Sequence, residues 1–383
     1  MKITDVEAIV LRQPAVDESI ADGSQDDLIV RVHTDAGIVG VGEVDSAPEV
    51  VKAVIEAPAS HAIASGLRQV LLGEDPLDVE GLWWKMYRAA IYYGRRGVAV
   101  HAISGIDLAL WDIKGKHLGQ PVARLLGTPH RQRVRAYAST LMPDTEDEVR
   151  AKVAALIEQY GFTAVKLGWG PLGQDWRHDV RLARAARAAG GDGVDVLIDA
   201  GLGYGADAAT AIRVARELEQ LGIFWIEEPF MPDELGAYAE LADSVDIRVA
   251  GGEEEATRWG FLELIERGHV DVVQPDVTRC GGLTEAMRIA QLAAQHQVAC
   301  VPHAWKSGII KAASLHLNAV LPEALFQEYC VAETPINSLL TTQRMPLHDG
   351  YVDVPSGPGL GVDLDQEVLD RLAVGERPLP VRG

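Results

Sequence analysis

The chain has 383 residues, of which 48% are hydrophobic and 24% charged, and it carries a formal charge of −21 at pH 7. That length suits one barrel-sized domain plus a smaller one. The acidic balance, with no basic run to reverse it locally, excludes nucleic acid and anionic membrane as expected partners, and no apolar run approaches the roughly 20 residues needed to cross a bilayer.

Acidic residues interrupt the short apolar stretch of MKITDVEAIVLRQP, so it does not resemble a secretory signal, and a cytoplasmic location is expected. MKITDVEAIVLR and DLIVRVHTDAGIVGVGEV alternate apolar and polar residues at period two around a DAG turn, which predicts an antiparallel sheet. Helical patterns run from about Pro48 to Gly127, including GVAVHAISGIDLALWDIKGKHLG, so residues 1–130 read as an α+β domain. Trp83, Trp84 and Trp111 in this region are read as core or interface aromatics, and Arg95 and Arg96 as solvated surface.

From about Arg133 the pattern becomes strand, loop and amphipathic helix. RVRAYAST, TAVKLG, VDVLIDA, IFWIEEP, IRVAGGE, DVVQPD, QVACVPH and ALFQEY form eight candidate strands, with helices such as HDVRLARAARAAG between most of them. Such alternation predicts parallel strands joined by right-handed crossovers, and a barrel over 131–344. An open doubly wound sheet fits less well, because no GxGxxG or GxxxxGK[ST] loop follows the first strand and polar residues end many strands. CGG at 280–282 reads as a tight strand-to-helix turn. The tail YVDVPSGPGLGVDLD returns to short strands and turns, so 345–383 is expected to rejoin the first domain. Cys280, Cys300 and Cys330 form no CxxC pair and fit reduced thiols.

Asp199, Glu227, Glu253, Asp276 and His303 each close an apolar strand, at successive intervals of 28, 26, 23 and 27 residues, about one strand-helix repeat. They should therefore converge at one end of the barrel. One such carboxylate could cap a helix or pair with a lysine. Three converging carboxylates, Asp199, Glu227 and Glu253, would repel one another without a cation, and all-oxygen ligation favours magnesium over zinc. Glu228, Glu254 and Glu255 read as secondary, the last two opening a helix. Lys166 ends the second strand; such a lysine is often solvated, but facing a metal site it would hold a substrate carboxylate or enolate oxygen. Asp276 would orient His303 and raise its basicity, making the pair a general base. Glu328 could donate a hydrogen bond or proton if its neighbours keep it protonated.

These residues and their surroundings, SGIDLALWDIKGKHLGQPVARLLG, LIDAG, WIEEP, AGGE, QPD, VPHAW and PSGPGLGV, resemble the mandelate racemase and muconate-lactonizing enzyme group of the enolase superfamily over nearly the whole chain. The resemblance implies a (β/α)7β barrel capped by an α+β domain made from both chain ends, whose loops around Val16 to Asp26 and Val44 to Ala47 would cover the substrate. It implies that Asp199, Glu227 and Glu253 hold one magnesium ion, that Asp276 and His303 form the Asp-His dyad, and that Glu328 is the carboxyl on the last strand. Lys166 matches the first residue of a Lys-x-Lys motif, but Gly168 stands where the second lysine would be, and Gly201 where relatives often have Asn or His. A two-base racemase is then not expected. A single base at His303 suffices to dehydrate a sugar acid to a 2-keto-3-deoxy acid. The alternatives are a cycloisomerase opening a lactone or anhydro-sugar acid, and a non-catalytic metal-binding scaffold. A homo-oligomer with a small-molecule sugar-acid substrate is expected.

Overall fold

The computed structural model describes residues 1–61 and 63–375. Strands β1 (Ile3–Arg12), β2 (Asp26–Thr34) and β3 (Val39–Val44) form an antiparallel sheet in that order. The helix Val98–Leu118 lies on this sheet and is buried over most of its 21 residues, because its other face meets the barrel. Trp111 Nε1 donates to Thr284 Oγ1 at 3.0 Å, and Asp107 accepts from the Thr284 backbone N–H at 3.0 Å. Trp83 Nε1 likewise donates to the Gly281 carbonyl at 2.8 Å, so both tryptophans serve the interface. Gly281 and Gly282 have φ of 117° and 78°, and a Cβ on Gly282 would strike Asp107, so the CGG turn needs its glycines for both backbone and contact.

The sheet and helix approach through glycine. A Cβ on Gly42 would overlap the Gly105 carbonyl oxygen, and one on Gly105 would press on Val44. Gly42→Ala should therefore push the helix off the sheet and cost about 1–3 kcal/mol, as overpacking does elsewhere. Thermal or urea denaturation reads this directly; an unchanged midpoint would mean the layers are not in the contact described.

The barrel is built from β4 (Arg133–Leu141), β5 (Ala164–Gly168), β6 (Asp195–Asp199), β7 (Trp225–Glu227), β8 (Arg248–Gly251), β9 (Val272–Val273), β10 (Ala299–Cys300) and β11 (Gln327–Cys330). Each of β4 to β9 pairs in parallel with the next, and β11 returns to pair with β4, aligning Glu328 with Tyr137. Helices fill the seven connections, giving a (β/α)7β barrel beside an α+β cap. After β11 the chain instead forms a hairpin, β12 (Leu347–His348) and β13 (Tyr351–Asp353), whose second strand adds antiparallel to β4. Only further on does the tail run back along the cap, where Leu360 N–H donates to Asp112 at 2.9 Å and Ala373 bridges to Leu11. The three cysteines are buried free thiols, and among the described residues no helix is long and apolar enough to cross a membrane.

Candidate active site

Tyr137, Ala164, Leu197, Trp225, Ala250, Val272, Val301 and Phe326 form one packed layer inside the barrel, one residue from each strand or its immediate flank. Successive inward side chains on a strand are two residues apart. Two residues further along, the same faces carry Ser139, Lys166, Asp199, Glu227, Gly252, Gln274, His303 and Glu328. The apolar plug thus supports a polar layer at the strands' C-terminal end, where barrel enzymes place their chemistry. Glu253 and Asp276 depart from this register. Gly252, at φ 113°, turns the chain out of strand geometry, so Glu253 enters from a turn and Asp276 from the segment beyond β9.

Asp199, Glu227 and Glu253 offer carboxylate oxygens that all lie within 4.8 Å of one another, and each residue is at most 7% exposed. Burial, then the Glu227 charge, pushes the Asp199 carboxyl well above its usual range, and Glu253 is raised to about 7, chiefly by burial. This crowding of hard anionic oxygens, without a thiolate or imidazole among them, fits a hard divalent cation. Lys166 already reaches into the same cluster: its Nζ is 2.5 Å from Glu227 Oε1, 3.4 Å from Asp199 Oδ2 and 3.1 Å from Glu328 Oε1. The other Glu227 oxygen accepts from Trp225 Nε1 at 2.9 Å, so the apolar layer also fixes the polar one. Glu228 accepts from the Gly252 and Glu253 backbone N–H groups at 2.9 and 3.2 Å and so shapes the turn that presents Glu253. Glu254 and Glu255 lie in the turn ahead of the helix Thr257–Gly268, not in its first turn as the sequence suggested; Gly252 delays the helix.

On the opposite side, His303 Nδ1 is 2.7 Å from Asp276 Oδ2, while Asp276 Oδ1 accepts from Thr278 N–H and Oγ1–H, both at 2.6 Å. The aspartate is thereby fixed, and it leaves Nε2 turned toward Glu253 Oε2 at 3.3 Å. Burial alone would lower the His303 pKa, but Glu253, Glu328 and Asp276 together push it up to about 10. A cation on the carboxylates would cancel part of that field and free Nε2 to accept a proton. Glu328 behaves differently from the proton donor considered above. Burial would raise it, yet Lys166 and His303 hold it down to about 2, and its Oε2 accepts from Ala304 N–H at 2.6 Å. Its Oε1 faces Lys166 Nζ at 3.1 Å.

Gly168 and Gly201 have steric reasons. A Cβ on Gly168 would stand 2.5 Å from Asp199 Cβ, and one on Gly201 only 2.7 Å from the Trp169 ring. Trp169 thus walls the face where a second base would sit.

Sequence reasoning missed the residues that join cap to barrel. Asp45, just past β3, accepts from Arg279 Nη2 at 2.6 Å and pairs with Lys306 at 2.9 Å. Arg279 also lies 3.6 Å from both Glu253 Oε1 and Asp276 Oδ2, so one cap carboxylate positions a cation between the metal cluster and the dyad. Asp22, in the loop expected to cover the site, accepts from Trp305 Nε1 at 3.2 Å. Asp22, Asp45, Arg279 and Trp305 line, with Thr140, a cavity of about 380 Å³ over Lys166, Asp199, Glu253 and His303.

Residues 4–127 match the family model for the mandelate racemase / muconate lactonizing enzyme N-terminal domain, and residues 148–368 match the enolase C-terminal domain-like model. D-galactarolactone cycloisomerase of Agrobacterium fabrum is 34% identical over 386 residues, spanning 96% of this chain and 98% of that protein. Arabinonate dehydratase of Saccharolobus solfataricus is 32% identical over 359 residues, 92% of each. The crystal structure of the 3,6-anhydro-D-galactonate cycloisomerase from Zobellia galactanivorans superposes with a TM-score of 0.88 at 34% identity, covering 98% of this chain and 100% of that one.

Proposed function

Because the chain belongs to the mandelate racemase and muconate lactonizing enzyme group of the enolase superfamily, we propose that it removes the proton beside the carboxylate of a sugar acid and then expels a β-oxygen. The observation that carries this reading is the oriented Asp276–His303 pair facing a tri-carboxylate cluster across the cavity between cap and barrel. A non-catalytic metal scaffold has no need of such a base.

In this reading Asp199, Glu227 and Glu253 hold magnesium, which when bound supplies positive charge beside the substrate carboxylate. Lys166, fixed by Glu227 and Glu328, adds an ammonium where negative charge develops on the enediolate. His303 Nε2 takes the α-proton while Asp276 holds Nδ1–H and balances the imidazolium. The cap loop carrying Asp22 and Trp169 from the barrel exclude water from that cavity. Protonated His303 can return its proton to a leaving hydroxyl on its own side, and ketonisation of the resulting enol gives a 2-keto-3-deoxy acid. With Gly168 and Trp169 on the far wall, no second base is available for racemisation.

The far end of the cavity argues for a monoacid. Arg279 is matched by Asp45 and Glu253, whereas Asp22 has no cationic partner within ion-pair distance among the described residues. That end suits hydroxyl donors and repels a second carboxylate, so aldonic acids fit better than aldaric ones. A cytoplasmic location and a homo-oligomeric assembly belong to the same reading, as does division into a barrel (131–344) and a cap (1–130 completed by 345–383), with the hairpin Leu347–Asp353 lying on the barrel strand β4 and residues 376–383 outside the described residues.

Ring opening by the same enediolate is the second reading, favoured by the near full-length similarity to two cycloisomerases. A panel of aldonates, aldarates and their lactones or anhydro forms, run in deuterated water, separates the two. The expected product is a 2-keto-3-deoxy acid, lighter by one water and deuterated at C3, formed from an aldonate. A product of unchanged mass apart from exchanged hydrogen would replace dehydration by cycloisomerisation, and an aldarate as best substrate would refute the charge argument.

A further inference from the structure

Three lysines are almost wholly buried: Lys166 at 3%, Lys306 at 1% and Lys311 at 5% exposure. Lys166 and Lys306 each have a carboxylate within 3 Å, at 2.5 and 2.9 Å. Among the described residues Lys311 Nζ has neither a carboxylate at ion-pair distance nor a hydrogen-bond acceptor; the Tyr329 ring centroid is 3.8 Å away, and Glu43 and Cys330 act on it only from beyond ion-pair distance. A buried ammonium without an anion is costly, and a single aromatic face returns about 2 kcal/mol at most.

The fold explains the opening into which this side chain faces. No long helix follows β11, so between the helices Glu146–Tyr160 and Gly308–Val320 its outer face is covered only by the irregular segment 331–346, which contains the short helix Pro335–Leu339. The result is a groove of about 850 Å³ lined by Leu156, Phe162, Lys311, Tyr329, Asn337 and Met345 among others. It lies outside the barrel wall, because Tyr329 alternates with the inward-facing Glu328. A second polar atom there is also unanswered: Asn337 Nδ2 donates to the Cys330 and Ala332 carbonyls, but its Oδ1 is buried without a donor. Burial brings the Lys311 ammonium down only to about 8, so it still carries its charge at pH 7.

We propose that this groove is a binding site for a small carboxylate anion with an apolar body, its carboxylate paired with Lys311 and its body against Leu156, Phe162 and Met345. One ammonium matches one negative charge. The walls mix apolar side chains with polar ones, Lys152 and Glu333 among them, and Arg344 of the lining spends Nη1 on the Thr341 carbonyl at 2.7 Å, so Lys311 is the buried cation that a single carboxylate would meet there. The site is independent of the reaction proposed at the barrel mouth.

Benzoate is a suitable probe, followed by titration calorimetry on the full chain with magnesium present at pH 7. Saturable binding is expected to wild type, to be weakened about tenfold or more by Lys311→Met, which removes a charge-assisted contact, and to survive in Lys311→Arg. Lys166→Met should leave it unchanged; if Lys166→Met removes binding and Lys311→Met does not, benzoate occupies the barrel mouth and the proposal falls. A readout without substitution is acetylation of wild-type Lys311 by acetic anhydride, which benzoate should slow while an exposed lysine such as Lys2 reacts as before. No saturable binding to wild type, as when a second copy of the chain covers the groove, or equal labelling with and without benzoate, overturns the assignment.

Discussion

His303→Asn is expected to stop exchange of the α-proton, lowering turnover by about a hundred- to ten-thousand-fold, the range a positioned general base supplies. The variant keeps a side chain able to hydrogen-bond Asp276 but has no group that can take a proton at the position of Nε2. Asp276→Asn alone should cost nearly as much, because an amide in its place can present an N–H to Nδ1 and so select the wrong tautomer, and it no longer balances the imidazolium. Adding it to His303→Asn should then cost little more, as for residues that act as a unit. Thr278, whose N–H and hydroxyl both bond Asp276 Oδ1 at 2.6 Å, holds the carboxylate in His303→Asn and can hold the amide oxygen in Asp276→Asn, so lost geometry does not explain the effect. Deuterium incorporation followed by proton NMR, with circular dichroism to confirm folding, gives the comparison. Losses that multiply independently would separate the two residues and remove the dyad from the mechanism.

How much of this site was legible in the sequence follows from strand periodicity. Lys166, Asp199, Glu227, His303 and Glu328 each stand two residues beyond a member of the apolar barrel layer, so a pattern of apolar lead-in and polar strand end picks them out. Glu253 and Asp276 do not obey that register; the apolar runs ahead of them, their spacing along the chain and the AGGE and QPD motifs suggested them. The charge on Glu328 was not legible, since it depends on Lys166 and His303 arriving from β5 and from beyond β10. Nor was the bridge from Asp45 to Arg279, which joins residues 234 apart and looks in sequence like two ordinary loop residues. Gly168 shows the difference between the two levels. Its identity alone told that a lysine was missing; its contact with Asp199, and the Trp169 ring against Gly201, tell that the space for one is gone.

Metal removal should have the other large effect. Chelation is expected to abolish turnover and magnesium to restore it, because without the cation Lys166, His303 and Arg279 are left to face the charges of Asp199, Glu227 and Glu253, and no divalent charge stands beside the substrate carboxylate. The same crowding gives a readout independent of activity. A cation that binds only the folded chain raises its stability by about 2.7 kcal/mol at a hundred times its Kd, so magnesium should raise the Tm of the wild-type protein in a concentration-dependent way. Glu227→Gln should shift that dependence to higher magnesium by about tenfold or more, since a neutral amide replaces an anionic ligand for a hard cation. His303→Asn should retain the shift in full while remaining inactive, which separates holding the metal from moving the proton. Full turnover after exhaustive chelation, or a magnesium-induced Tm shift unchanged in Glu227→Gln, would take the metal away from these three carboxylates. In that event their crowding would have to be relieved by Lys166, Arg279 and a protonated His303, of which Lys166 already answers Glu227 and Glu328 and Arg279 answers Asp45.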